Sequence, residues 1–146
     1  MAVELDTDDA APTGMPVEWY VAFFNDERRY WWSCLCPDGF GHVAAFGYCV
    51  EQAVYLLYDV TMTRTLLQAL TPSQMDEWVA RLPANRRIVA YQPTREPEEP
   101  ALRLGFWCTP AIAHLVGVRS RALRPQALYR DLIAQGARPA FEGDQA

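Results

Sequence analysis

Four short runs of β-branched and aromatic residues, each closed by a turn signal, fill the first sixty positions and constrain the chain to an antiparallel sheet. The runs are Val17–Phe24 (VEWYVAFF), Arg29–Cys36 (RYWWSCLC), Phe40–Tyr48 (FGHVAAFGY) and Ala53–Asp59 (AVYLLYD). Between them lie Asn25-Asp26-Glu27, Pro37-Asp38-Gly39 and Cys49–Gln52, which are turn compositions. The short first gap predicts a hairpin of the first two runs, and the whole set predicts a meander. The last run is apolar almost throughout, which predicts a central strand.

The second half changes period. Thr61–Leu70 is ambiguous and is compatible with a helical turn. Thr71-Pro72-Ser73-Gln74 is a helix start, with Thr71 as N-cap, Pro72 at the first position and Gln74 completing a capping box. Met75, Trp78, Val79 and Leu82 recur at helical spacing and predict a face packed on the sheet, with Pro83 ending the helix. Ile88–Gln92 reads as a short strand. Pro93–Pro100, PTREPEEP, reads as an exposed loop. Leu104–Trp107 leads into a helix ended by Gly117, and Pro125–Gln135 is helical, with Ala127, Leu128, Leu132 and Ile133 on one side and Gly136 as the stop. The expected fold is therefore α+β: a small antiparallel sheet or half-barrel of about five strands packed against two to three helices.

A length of 146 residues suits one domain, and a hydrophobic content of 51% with 12% aromatics supplies a ring-rich core. Residues 1–16 mix acids, Ala, Pro and Gly without periodicity and read as a disordered acidic leader; 17–138 is the domain and 139–146 a flexible tail. A net charge of −5 argues against general nucleic-acid binding. The charge is uneven, because Glu4, Asp6, Asp8 and Asp9 load the start while Arg119, Arg121, Arg124, Arg130 and Arg138 make the last third basic. Neither a signal peptide nor a transmembrane run is apparent, so synthesis in a cytoplasm is the expected setting. Four cysteines in such a chain read as free, catalytic or metal-bound rather than as disulfides.

The stretch that carries chemistry is Gly105–Gly117, GFWCTPAIAHLVG, where an aromatic strand end runs into Cys108 at a helix start, with Thr109 as the expected N-cap and Pro110 in the first turn. Unpaired N–H groups and the helix dipole at that position stabilise a thiolate, the nucleophilic form of cysteine. The alternative is a small buried cysteine at a strand–helix junction. A nucleophile needs a base, and two histidines are available. His114 lies six residues along the same helix, about 240° around it, and points away. His42, in the small-residue strand GHVAAF, is one that a cysteine-bearing helix can approach closely. Asp59, ending the next strand, is placed to orient the imidazole, and its alternative role is a turn aspartate.

A His-bearing strand (GHVAAF), a neighbouring strand with a polar residue (AVYLLYD) and a later cysteine heading a helix (FWCTPAIAHLVG) resemble the circularly permuted branch of the NlpC-type papain-like superfamily, which includes the lecithin retinol acyltransferase-like proteins. The resemblance spans roughly Phe40 to Gly117. It implies a papain-like domain and thiol chemistry on an amide or ester, with Cys108 as nucleophile, His42 as base and Asp59, Gln52 or Glu51 as the polar third residue. It favours bacterial cell-wall peptide as substrate, then a lipid or ester, and needs no cofactor. The TPAIAHLVGV helix and the arginine-rich segment after it are similar in style to small papain-like proteins of bacteriophages, which would make the protein virion-associated.

Two other readings compete. Cys34, Cys36, His42 and Cys49 form C-x-C-x5-H-x6-C, ligand types suited to zinc, although cysteines alternating along a strand lie about 6 to 7 Å apart, too far for one ion unless the strand bends. The chain could also be a structural or interaction protein in a larger assembly, with its aromatic strands and the PTREPEEP loop as contact surfaces for protein partners. Trp31-Trp32 and Trp19-Tyr20 then read as core and cross-strand pairs, or as one wall of a groove. No phosphate-binding glycine loop and no serine triad are present.

Overall fold

The computed structural model describes residues 14–25, 39–61, 63–93 and 107–140. In chain order its elements are β1 (Trp19–Phe24), β2 (His42–Cys49), β3 (Val54–Val60), β4 (Thr65–Leu70), α1 (Pro72–Ala80), β5 (Arg87–Tyr91), α2 (Cys108–Leu115), α3 (Pro125–Ala134) and β6 (Arg138–Ala140). The strands form one open antiparallel sheet in the order β4-β3-β2-β1-β5-β6. The α+β class is as the sequence predicts, and the sheet does not close into a barrel.

Burial explains that order. A strand in the middle of a two-layered core must be apolar or small on both faces. HVAAFGYC and WYVAFF meet that condition, and β2 and β1 are buried almost throughout. One face of the sheet carries Val21, Phe23, Val43, Ala45 and Val89 against Ile112 of α2, Val116 at its C-cap, and Leu128 and Leu132 of α3. The other carries Ala22, Phe24, Ala44, Phe46 and Leu57 against Met75 of α1, with Trp78, Val79 and Leu82 packed beside it. Phe23 meets Tyr129 edge-on at 5.3 Å on the first face, and Phe46 meets Trp78 at 5.8 Å on the second. Gly47 is required in β2 because a Cβ there would come within 2.5 Å of the Pro16 ring.

Several expectations change. Both edges of β1 are taken, by β2 from Trp19↔Gly47 to Phe24↔His42 and by β5 from Trp19↔Tyr91 to Phe23↔Arg87, while the hairpin expected with the second run, Arg29–Cys36, falls on residues that are not described. That second run, Trp31-Trp32 within it, and nearly all of PTREPEEP lie outside the described residues. Thr65–Leu70 is a strand rather than a helical turn, paired with β3 from Tyr55↔Leu70 to Val60↔Thr65. β3 is consequently second from the edge, and only Leu57 and Val60 of it are fully buried. Residues 139 and 140, placed in the tail by sequence, belong to β6 and pair with β5.

Helix ends follow the sequence more closely. Thr71 accepts from Gln74 N–H at 3.4 Å, and Gln74 Oε1 accepts from Thr71 N–H at 2.9 Å, which is the expected capping box. α1 stops at Ala80, short of Pro83. Gly117 and Gly136 end α2 and α3 with φ of 69° and 94°, a region open to glycine at little cost. The buried face of α3 is Pro125, Leu128 and Leu132, whereas Ile133 is 38% exposed.

Leu128→Ala empties a site that is wholly out of solvent and is expected to cost about 2–5 kcal/mol, against about 1 kcal/mol for Thr71→Ala at the exposed cap. Urea unfolding of both variants checks the ranking.

Candidate active site

His42 opens β2, and its Nε2 lies 2.7 Å from Asp59 Oδ1. The register produces this contact: Ala44 opposes Asp59, so His42 and Asp59 are diagonal neighbours on the same face of the sheet. The edge of Phe24 packs on the imidazole, with centroids 5.2 Å apart, and fixes the ring plane. Asn25 Oδ1 accepts from Gly41 N–H at 2.7 Å and pins the residue before the histidine. Side-chain exposures of 16% and 20% leave His42 and Asp59 open to proton exchange while keeping most screening water away.

Cys108 arrives from the other core. By parity His42 belongs with Ala44 and Phe46 on the α1 face, whereas Cys108 packs with Val43 and Ile112 on the α2–α3 face. The two meet at the end of β2, where the β2–β3 register stops at Ala44↔Asp59. There the Cys108 sulfur comes under the influence of the Val43 N–H and of the His42 imidazole, both of which lower its pKa. Since Asp59 takes Nε2, the histidine's Nδ1 is the nitrogen left for sulfur.

Electrostatics follows from these contacts. Burial pushes the His42 charge down, but the hydrogen bonds to Asp59 and Cys108 and their negative charge outweigh it, so its pKa is raised from 6.5 to about 10. Burial pushes the Cys108 thiol up; the His42 hydrogen bond and charge, the Val43 N–H and the Thr109 hydroxyl overcome it and hold the thiol below its ordinary value. The favoured state is a thiolate–imidazolium pair oriented by a carboxylate.

The helix contributes at its first turn. Its N-cap is Trp107 and not Thr109, so Cys108 itself is the first helical residue. Thr109 is wholly buried with its hydroxyl 4.0 Å from the Cys108 sulfur, and an inward-facing side chain cannot fold back to cap. The N–H groups of Cys108 and Thr109 precede the first intrahelical bond, from Ala111 N–H to Trp107 O at 3.2 Å, and Pro110 has none. Donors in that position suit a developing oxyanion.

The remaining sequence candidates fall elsewhere. Glu51 and Gln52 sit in the turn beyond the other end of β2, where Gln52 accepts from the Cys49 thiol; only Asp59 of the three reaches His42. His114 is exposed on α2, as its helical angle predicts. The zinc quartet is not assembled. His42 and Cys49 occupy opposite ends of one strand, about 23 Å apart at 3.3 Å per residue, and cannot share an ion. Cys34 and Cys36 lie outside the described residues. An open cleft of about 300 Å³ lined by Asn25, Gly39, Phe40, Asn85, Arg87 and Gln126 contains none of the three site residues. Among the described residues no helix is long and apolar enough to cross a membrane. Sequence reasoning missed Phe24, Asn25 and Val43, and gave the Thr109 side chain a capping role where it lies beside the sulfur instead. Asn25 and Val43 act through backbone contacts that residue type does not announce.

Comparison of the chain with protein-family models, curated proteins and solved structures finds no match in any of the three.

A stability test isolates the His42–Asp59 contact. The imidazolium's contribution is complete below the ordinary value of 6.5 and is lost as pH rises through about 10, because the folded value is the higher. Asp59→Asn is expected to cost about 1–3 kcal/mol near neutral pH, a charge-assisted hydrogen bond's worth, and the gap from wild type should narrow as pH passes through about 10. Denaturant midpoints across that range measure it.

Proposed function

We propose that this protein is a thiol-dependent hydrolase of the peptidase or amidase kind, or an acyltransferase, with Cys108 as nucleophile, His42 as acid and base and Asp59 as the orienting carboxylate. The observation that carries the reading is that one imidazole, 2.7 Å from a carboxylate, also interacts with a thiol that it holds below its ordinary pKa at the first residue of a helix. A buried structural cysteine needs no such partners. The order of His strand, Asp strand and Cys helix is that of the permuted NlpC-type papain-like proteins, which this chain resembles. On that resemblance an amide of bacterial cell-wall peptide is the favoured substrate and a virion the favoured setting.

The Cys108 thiolate attacks the carbonyl carbon, and the carbonyl electrons move onto oxygen beside the N–H groups of Cys108 and Thr109. Collapse of the tetrahedral intermediate expels the amine or alcohol, which takes its proton from His42 and leaves a thioester on Cys108. Water, or an acceptor amine or hydroxyl, then attacks the thioester as His42 withdraws its proton. The thiolate departs and the ion pair is restored. Asp59 keeps Nε2–H engaged throughout, so Nδ1 remains aimed at sulfur and at the leaving group.

Alkylation of Cys108 by iodoacetamide across pH, read by peptide mass, tests this. Wild type should react with a midpoint below the free-thiol value of about 8.5, and His42→Ala should shift the midpoint upward and slow the reaction at neutral pH by about tenfold or more. An unreactive Cys108, or one that titrates like a free thiol with or without His42, would sink the catalytic reading and leave a structural or interaction protein in its place.

A further inference from the structure

The segment after α2 carries exposed arginines on a backbone that is tied down at nearly every residue. Arg119 N–H donates to Gln135 Oε1 at 3.2 Å, and Gln135 Nε2 donates back to Arg119 O at 2.8 Å. Ser120 Oγ donates to Asp131 Oδ2 at 2.5 Å and accepts from Ala122 N–H at 3.0 Å. Val118 is fully buried beneath the segment. A backbone fixed in this way sets where its side chains start from, and those of Arg119, Arg121 and Arg124 are exposed.

The loop is also tied to the candidate nucleophile. Trp107, the residue immediately before Cys108, donates its indole N–H to Leu123 O at 2.9 Å. Arg121 and Arg124 therefore flank a residue held within one indole's reach of the Cys108 backbone. Among the described residues neither arginine makes an ion pair. In a chain of net charge −5, no Asp or Glu occurs between Glu99 and Asp131, and the Asp131 carboxylate is engaged by Ser120. Positive charge is thus concentrated on a loop tied to the residue that precedes Cys108, in a protein whose net charge is negative.

The geometry points to Arg121 and Arg124 as specificity-determining residues that select a negatively charged reaction partner at Cys108, a carboxylate-bearing acyl group or peptide. This rests on the reading of Cys108 as a nucleophile and adds the charge of its substrate. Fixed arginines near a reacting atom raise the local concentration of anions, and salt removes the effect because the Debye length falls from about 10 Å at 0.1 M to about 3 Å at 1 M.

Two methanethiosulfonates of similar size test it, one bearing a sulfonate and one a trimethylammonium group. Each transfers its alkylthio group to the thiolate, forming a disulfide and releasing methanesulfinate. Their rate ratio at Cys108, read by peptide mass, is divided by the ratio for 2-mercaptoethanol to remove intrinsic reactivity. In wild type at low salt the corrected ratio should favour the anion by about threefold to tenfold and approach unity in 1 M NaCl. Arg121→Glu/Arg124→Glu should reverse the preference, and Arg121→Gln/Arg124→Gln should cancel it, which keeps the test intact if the double reversal misfolds. A wild-type preference that neither variant changes overturns the inference. Iodoacetamide separates the two levels: if it labels wild-type Cys108 with the lowered midpoint while the charged pair shows no arginine dependence, the substrate charge is wrong and the nucleophile stands; if it leaves Cys108 unlabelled, both fall.

Discussion

The imidazole at the head of β2 must be charged where most of its surroundings are not water, and much of the molecule follows from how that charge is compensated. An isolated buried cation is costly, and two partners from different elements remove the cost: a carboxylate from β3 and a thiol from α2. Neither can be supplied by a loosely arranged fold. A slip of one residue in the β2–β3 register would turn Asp59 to the opposite face. A helix starting one residue later would move Cys108 out of the first turn. The small residues of β2, Ala44, Ala45 and Gly47, permit the close packing on both faces that fixes these positions.

Much of this was legible in residue types. A small-residue strand with a histidine, a neighbouring strand ending in aspartate and a cysteine before Thr-Pro carry their chemistry openly, as do the Thr71–Gln74 capping box and the Gly117 and Gly136 stops. What the sequence hid depends on neighbours distant in the chain. TLLQAL has leucines at spacings that suit either a helical turn or an edge strand, and pairing with β3 decides between them. The apolar run of β3 suggested the sheet centre, yet β2 and β1 occupy it with β5 beside them, and these three strands, unlike β3, are buried on both faces. Thr109 before Pro110 has the form of an N-cap, but the residue is drawn inward and Trp107 takes that place. The end-of-strand meeting of His42 and Cys108, from opposite cores, is a consequence of where the β2–β3 ladder stops, and no periodicity reports that.

The chain also holds a useful contrast between its two described thiols. Cys49, at the far end of β2, is buried and donates to Gly14 O and Gln52 Oε1. Cys108 receives hydrogen bonds from His42 and from a backbone N–H, which favour the thiolate. Burial is comparable and chemistry differs, because one thiol faces acceptors and the other faces donors.

Chain order gives the trio a temporal meaning. A ribosome delivers His42 and Asp59 well before Cys108. During that interval the nascent chain carries the histidine and the carboxylate without the thiol. The interactions that favour the Cys108 thiolate join α2 to the β2–β3 pair, so the state of that sulfur is a local marker that the native register has been reached.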